Sequence, residues 1–187
     1  MSQQAWMETL VSQQVDGTAN TAGTAASIIA AAAKITLPAN YFYIGRELHF
    51  ILSGRISTVI TAPGTARFDI RLGGTVVWDS QAIALDTAVA YTNVSWRLDV
   101  ILTCRAIGNG TATTFMGAGG TWSSPNIAGA PATPPKGALT AMLPWNTAPA
   151  VGTGIDCTTT QTVDVFFTQT VATGSCTCHQ YRLKSLN

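Results

Sequence analysis

Alternating apolar and polar residues mark three strands in the middle of the chain. The runs cover residues 47–56, 66–72 and 96–106, and an apolar residue recurs at every second position of each. Successive side chains of a strand point to opposite faces, so one face of each run is predicted to be buried and the other to meet solvent or a partner. The predicted buried positions are Leu48, Phe50, Leu52, Ile56, Phe68, Ile70, Leu72, Leu98, Val100, Leu102, Cys104 and Ala106.

A glycine pair joins the second run to a further strand. Gly73 and Gly74 can adopt the positive φ angles that a two-residue hairpin turn requires, which predicts an antiparallel hairpin. Weaker strand patterns follow elsewhere, at 34–38, 111–116, 161–171 and 178–186. The sequence therefore predicts an all-β fold, an antiparallel β-sandwich of about eight strands, with Val165 joining the central runs in one core.

Two segments lie outside this pattern. Residues 11–33 consist largely of Ala, Thr, Ser, Gln and Gly. Residues 1–33 are predicted to form an N-terminal extended arm that orders against a neighbouring subunit, and a disordered tail or a short helix is the alternative. Residues 123–154 hold six of the eight prolines and are predicted to form a long irregular loop with one short ordered piece at 138–145. The domain expected to carry the fold is 34–187, and the arm and the loop are expected to anchor it to a partner.

Composition narrows the function classes. Charged residues make up 10% of the chain, against roughly 25% in a typical soluble domain, which favours a subunit covered by neighbours. The net charge of +1 and the absence of a Lys/Arg run argue against nucleic-acid binding. The apolar run at 28–33 is shorter than the about 20 residues that a membrane span needs, and no basic residue precedes it, so we expect neither a membrane span nor a secretory signal.

Candidate chemistry is sparse. The two histidines, His49 and His179, have no catalytic partner nearby in sequence, and no phosphate loop or nucleophile elbow is present, so an enzyme is not expected. Cys176, Cys178 and His179 include residue types that bind zinc, but adjacent strand residues face opposite ways, so we expect no metal and no cofactor. The four cysteines permit a disulfide, and a reduced state is the expectation in the absence of an export signal.

The order of strands and turns resembles that of small β-structured virion proteins of tailed bacteriophages. The similarity covers about residues 34–186 and is carried by the stretches Ile35-Thr36-Leu37-Pro38-Ala39, Gly45-Arg46-Glu47-Leu48-His49-Phe50, Gly54-Arg55-Ile56-Ser57-Thr58, Arg71-Leu72-Gly73-Gly74-Thr75, Val94-Ser95-Trp96-Arg97-Leu98 and Thr162-Val163-Asp164. This resemblance implies a jelly-roll subunit, often trimeric, of the decoration (cement) or head-fibre type. It also implies a virion location on the phage head surface after assembly in the host cytoplasm.

Two functions remain open at this stage. The first is a capsid decoration protein whose homotrimer binds the major capsid protein and stabilises the shell. The second is a receptor- or glycan-binding spike or tail-fibre head, because jelly rolls also serve as lectins and a tryptophan can stack on a sugar. The residues predicted to contact a partner are Trp122, Trp145, Tyr43, Phe166 and Tyr181.

Overall fold

The computed structural model describes residues 6–125 and 138–186, and these residues form two packed antiparallel sheets. Within these described ranges, one 3-10 turn, Ala31–Ala33, accompanies the strands. The strands of the described residues are β1 (Met7–Ser12), β2 (Ala26–Ser27), β3 (Thr36–Leu37), β4 (Glu47–Thr58), β5 (Thr65–Leu72), β6 (Thr75–Asp79), β7 (Ile83–Ala84), β8 (Tyr91–Ala106), β9 (Thr114–Met116), β10 (Gly120–Pro125), β11 (Ala138–Leu143), β12 (Gln161–Gln169) and β13 (Ser175–Leu186).

The strand order is that of a jelly roll. The large sheet runs β1-β13-β4-β8-β10-β11, with β9 also paired to β8, and the small sheet runs β2-β12-β5-β6, with β3 paired to β12 and β7 to β5. The jelly-roll order is seen when eight strands are counted in chain order: β1, β2, β4, β5, β6, β8, β12 and β13. The first, eighth, third and sixth of them are neighbours in the large sheet. The second, seventh, fourth and fifth are neighbours in the other. The predicted jelly-roll sandwich is confirmed.

The inner faces of the two sheets meet in one apolar core. Every residue that the alternation places in the core of the central runs, from Leu48 to Cys104, is at most 1% exposed, and Ala106 at the end of β8 is half-buried. Phe68 lies at the centre, with its ring centroid 5.1 Å from that of Phe167, 5.3 Å from Trp96 and 6.0 Å from Trp122. Since Phe68 and Phe167 belong to the small sheet and both tryptophans to the large one, this aromatic cluster joins the sheets.

The described part of the N-terminal segment, residues 6–33, belongs to the sandwich, which corrects the prediction of an arm there, and residues 1–5 lie outside the described residues. Strand β1 pairs with β13, and the backbone N–H of Ile28 donates to the carbonyl of Val165 at 3.0 Å. Ile28 and Ile29 are buried in the core. The small side chains of the segment permit close backbone packing: a Cβ on Gly17 would lie 1.7 Å from the carbonyl oxygen of Ile28.

The proline-rich segment also contributes to the large sheet. Its described part includes β11, which pairs with β10 from Gly120↔Leu143 to Pro125↔Ala138, and the backbone N–H of Trp145 donates to the carbonyl of Ser80 at 2.7 Å. The predicted ordered piece at 138–145 contains β11, and the prediction of an irregular loop is wrong for residues 123–125, which belong to β10. The central part of that loop, 126–137, lies outside the described residues.

The buried role of the N-terminal segment is testable with two substitutions inside it. Ile28→Ala removes a fully buried side chain and is expected to lower the free energy of unfolding by about 2–4 kcal/mol. Val15→Ala, at a position that is 62% exposed, is expected to change it by less than about 0.5 kcal/mol. Urea unfolding at one fixed protein concentration gives both values. Equal values for the two variants would show that the segment does not support the fold.

Candidate binding surface on the large sheet

Five lysine and arginine side chains lie on the outer face of the large sheet. Arg55 lies on β4, Arg97 and Arg105 on β8, and Arg182 and Lys184 on β13, each at a position that alternates with buried residues. These three strands are neighbours, so residues far apart in the chain share one surface. We call the outer face of β13, β4 and β8 the cationic face.

The strand register fixes the rows of this face. Arg182 lies opposite Ile51 of β4, which in turn lies opposite Asp99 of β8. One row further along, Ser53 of β4 lies between Gln180 of β13 and Arg97 of β8. On the cationic face, Arg182 and Arg97 therefore lie diagonally opposite each other across the centre of β4.

Asp99 is the carboxylate in the middle of the cationic face, and both of its oxygens are engaged. His49 Nε2 lies 2.7 Å from Oδ1, and Arg97 Nη2 donates to Oδ2 at 3.0 Å. Partial burial acts to raise the pKa of Asp99, but the hydrogen bonds from His49 and Arg97 and their charges act in the opposite direction and outweigh it. The pKa of Asp99 is therefore lowered.

The remaining cations of this face have no acidic partner. Among the residues that the structure describes, no salt bridge joins Arg55, Arg105, Arg182 or Lys184 to a carboxylate. Glu47 is a second carboxylate on this side of the sheet, at the start of β4, and it accepts a hydrogen bond from Thr103 Oγ1 at 3.2 Å. The cationic face therefore carries a local excess of positive charge in a chain whose net charge is only +1.

The outer face of the small sheet is different, because its charges neutralise one another. Lys34 Nζ lies 2.8 Å from Asp164 Oδ2. Two arginine–aspartate pairs complete the set, Arg71 with Asp69 and Arg67 with Asp79. The electrostatic difference between the two outer faces makes the cationic face the candidate binding surface.

A shallow polar cavity of about 280 Å³ opens on the cationic face. Its walls combine hydroxyl, amide and guanidinium groups around the side chain of Ile51. The residues that line it are Ser12, Gln13, Ile51, Ser53, Arg97, Gln180, Tyr181 and Arg182. Such a lining can donate several hydrogen bonds and a positive charge to one small ligand.

Internal hydrogen bonds hold part of this cavity in place. Gln13 Nε2 donates to the carbonyl of Cys178 at 3.1 Å, and Gln13 Oε1 accepts from the backbone N–H of Ala30 at 2.9 Å. Ser53 Oγ donates to Gln180 Oε1 at 3.1 Å. The wall formed by Gln13 is thus fixed in advance by the fold, whereas Arg182 remains available to a ligand.

Two of the predicted contact residues are buried inside the subunit, which corrects their assignment. Trp122 is fully buried beside Phe68, and Tyr181 is 2% exposed with its ring stacked on that of Phe50. A β-bulge between Cys178 and Gln180 shifts the alternation of β13 and turns Tyr181 inward. Neither residue can reach a partner or a sugar.

The other three predicted contact residues do not come together on the cationic face. Tyr43 is 41% exposed in the connection before β4, and the guanidinium carbon of Arg46 lies 4.6 Å from its ring centroid. Phe166 belongs to the small sheet, where the guanidinium carbon of Arg71 lies 3.7 Å from its ring centroid. Trp145 is half-buried and packs against the core.

The cysteine-histidine motif is dispersed by the fold. All four cysteines are free and buried, and His179, at the bulge, lies 2.8 Å from Asp16 through its Nδ1. Burial raises the pKa of the Cys178 thiol to about 12 and raises that of Cys176 as well. In the described part of the chain, no three His, Cys, Asp or Glu side chains lie close enough together to hold a metal ion.

Comparison of the chain with protein-family models, with curated proteins and with solved structures found no match. Over residues 6–125 and 138–186, no helix has the length and apolar character needed to cross a membrane.

The lowered pKa of Asp99 predicts a pH dependence of stability. A carboxylate whose pKa is lower in the folded state contributes stability above its unfolded pKa of about 3.9, and this contribution is lost as the pH falls through the folded value. Asp99→Asn should therefore flatten the acid limb of the plot of unfolding free energy against pH. The comparison of variant and wild type is confined to the acid limb, below about pH 5. An unchanged acid limb would contradict the assignment.

Proposed function

We propose that the protein is a non-enzymatic structural subunit that assembles through the edges of its large sheet and decorates the head of a tailed bacteriophage. The observation that carries this proposal is that the large sheet ends in two open edge strands, β1 and β11, in the part of the chain that the structure describes. Among the described residues, no further strand pairs with the outer edge of either. Exposed apolar side chains lie at both edges: Trp6 and Met7 are 74% and 58% exposed, and Met142 is 61% exposed.

Open edges of this kind favour assembly. An edge strand presents unpaired N–H and C=O groups, and soluble proteins usually protect such edges with charges, prolines or bulges. The described residues of β1 include one acidic residue, Glu8, and the described side chains of β11 include no charged residue. Contact between the β1 edge of one subunit and the β11 edge of the next would be head-to-tail, and such contacts form a closed ring when the rotation between subunits is a whole fraction of a turn.

The resemblance to phage virion proteins supports the choice of a homotrimer on the head. In that arrangement the trimer binds the major capsid protein and stabilises the shell by buried area. The charged fraction of 10% fits a subunit whose surface is largely covered by neighbours. Each subunit interface would bury about 800 Å² per partner, the size typical of specific complexes.

A second candidate is a receptor- or glycan-binding head module, and the polar cavity of the cationic face favours it. The mechanism first expected, stacking of a sugar on Trp122, does not fit a side chain that is fully buried. Binding would instead depend on the hydroxyl, amide and guanidinium groups that line the cavity.

Light scattering of the purified protein tests the assembly. We expect the wild type to be a trimer at micromolar concentration and Met142→Lys to be a monomer, because a lysine at the edge would bring its charge into the subunit contact. Ile60→Lys is the matched control, since Ile60 is 50% exposed but lies outside the edge strands. A wild-type monomer, or the same state for both variants, would count against assembly through the edge.

Sedimentation with undecorated phage heads tests the proposed location. We expect the wild type to be retained in many copies per head. The Met142→Lys monomer should be retained at least about tenfold less, because it loses the avidity of three linked contacts. Ile60→Lys should match the wild type. Retention of a few copies only, at a vertex or a tail tip, would favour the receptor-binding candidate.

A further inference from the structure

We propose that the cavity of the cationic face is a binding site for a carboxylated sugar, such as a uronic or sialic acid residue of a surface glycan. The assignment rests on the second candidate function, glycan binding, and names its ligand class. It requires neither the trimer nor the phage head, because all of the lining residues belong to one subunit.

The position of the two arginines suits a ligand of the size of one sugar ring. Arg182 and Arg97 lie on the two strands that flank β4 and are offset by one row, opposite Ile51 and Ser53 respectively. With strands about 4.8 Å apart and a rise of about 3.4 Å per residue, their Cα atoms are about 12 Å apart. Two long side chains at that separation can both reach a single ring placed between them.

The charges of the site call for an anion. Arg97 already donates to Asp99, whose other oxygen bonds His49, so Asp99 has little capacity left to neutralise Arg182, which lies in the same row on the far side of Ile51. Arg55 and Lys184 add further positive charge on the same face. A guanidinium without an ion pair binds a carboxylate through two parallel hydrogen bonds, which makes Arg182 the anchor for the acidic group.

The remainder of the lining matches the other parts of a sugar. Ile51 supplies an apolar floor for the C–H face of a ring, while Ser12 and Ser53 supply hydroxyl groups for its edge. Gln180 accepts a hydrogen bond from Ser53, and its two N–H donors have no partner among the described residues. A cavity of about 280 Å³ lies just below the usual range of small-molecule sites, about 300–1,000 Å³, and fits a single ring better than a longer ligand.

A second copy of this chain is a poorer occupant. The carboxylates on the outer face of the small sheet, Asp69, Asp79 and Asp164, are each already paired with a basic side chain. Two cationic faces would repel each other. The outer face of the small sheet therefore offers this site no unpaired carboxylate.

The test is a titration of the full-length protein, followed by NMR, with D-glucuronate and N-acetylneuraminate as acidic probes and D-glucose as the neutral probe. We expect saturable binding of at least one acidic sugar, weakened by added salt, and binding of glucose at least about tenfold weaker. Arg182→Gln should weaken binding of the acidic sugar by about tenfold or more. Arg105→Gln, which removes the same charge from an exposed position of β8 outside the cavity, should change it by less than about twofold.

The possible outcomes distinguish the carboxylated-sugar site from glycan binding in general and from the decoration function. Absence of binding by both acidic sugars would overturn it and would leave the decoration function unaffected. Equal binding of glucose and glucuronate, unaffected by Arg182→Gln, would preserve glycan binding and overturn the carboxylate site. Binding of a glutamate-rich peptide, but not of the sugars, in an Arg182-dependent manner would overturn it in favour of an acidic protein partner.

Discussion

The structure depends first on the packing of two sheets around Phe68. That ring touches the aromatic groups of both sheets, and each strand that contributes to the contact must keep its apolar residues on one side. A slip of one residue would exchange the inner and outer faces of a strand, so burial of the core fixes the register. The same register places Arg182 opposite Ile51 and Arg97 opposite Ser53. Core packing and the geometry of the cationic face are therefore consequences of one constraint.

The parts of the fold that could be predicted are those with long local alternation. Strands β4, β5 and β8 each contain enough residues for a period of two to be recognised, and the Gly73-Gly74 turn links β5 to β6. The N-terminal strands carry no such signal. Strand β2 is two residues long, and β1 finds its partner at the far end of the chain, with Met7 opposite Leu186. A short strand stabilised by distant pairing cannot be recognised from its own sequence.

Only part of the candidate site could be predicted from the sequence. Alternation alone marks Arg55, Arg97 and Arg182 as outward-facing, but the neighbour relations of β13, β4 and β8 are needed to bring them together. No run of basic residues in the sequence indicates the cationic face, because its basic residues come from three separate strands. The alternation that marks Arg182 as outward-facing also places Tyr181 on the buried face with Leu183, so the assignment of Tyr181 as a contact residue was an error of interpretation. What the sequence does not mark is the bulge at His179, which separates this run from the alternation of the preceding residues.

The reactivity of the four buried thiols can report local opening of the folded structure. Cys104 lies on β8, Cys176 and Cys178 lie on β13, and Cys157 donates through its Sγ to the carbonyl of Gly108 just after β8, so the thiols monitor two strands of the large sheet and a loop at the end of one of them. A thiol reagent needs the thiolate, and burial both excludes the reagent and raises the pKa of Cys178 to about 12. Labelling must then wait until a strand separates from its neighbours. The order in which the cysteines become reactive would show which part of the sandwich opens first, without any added probe.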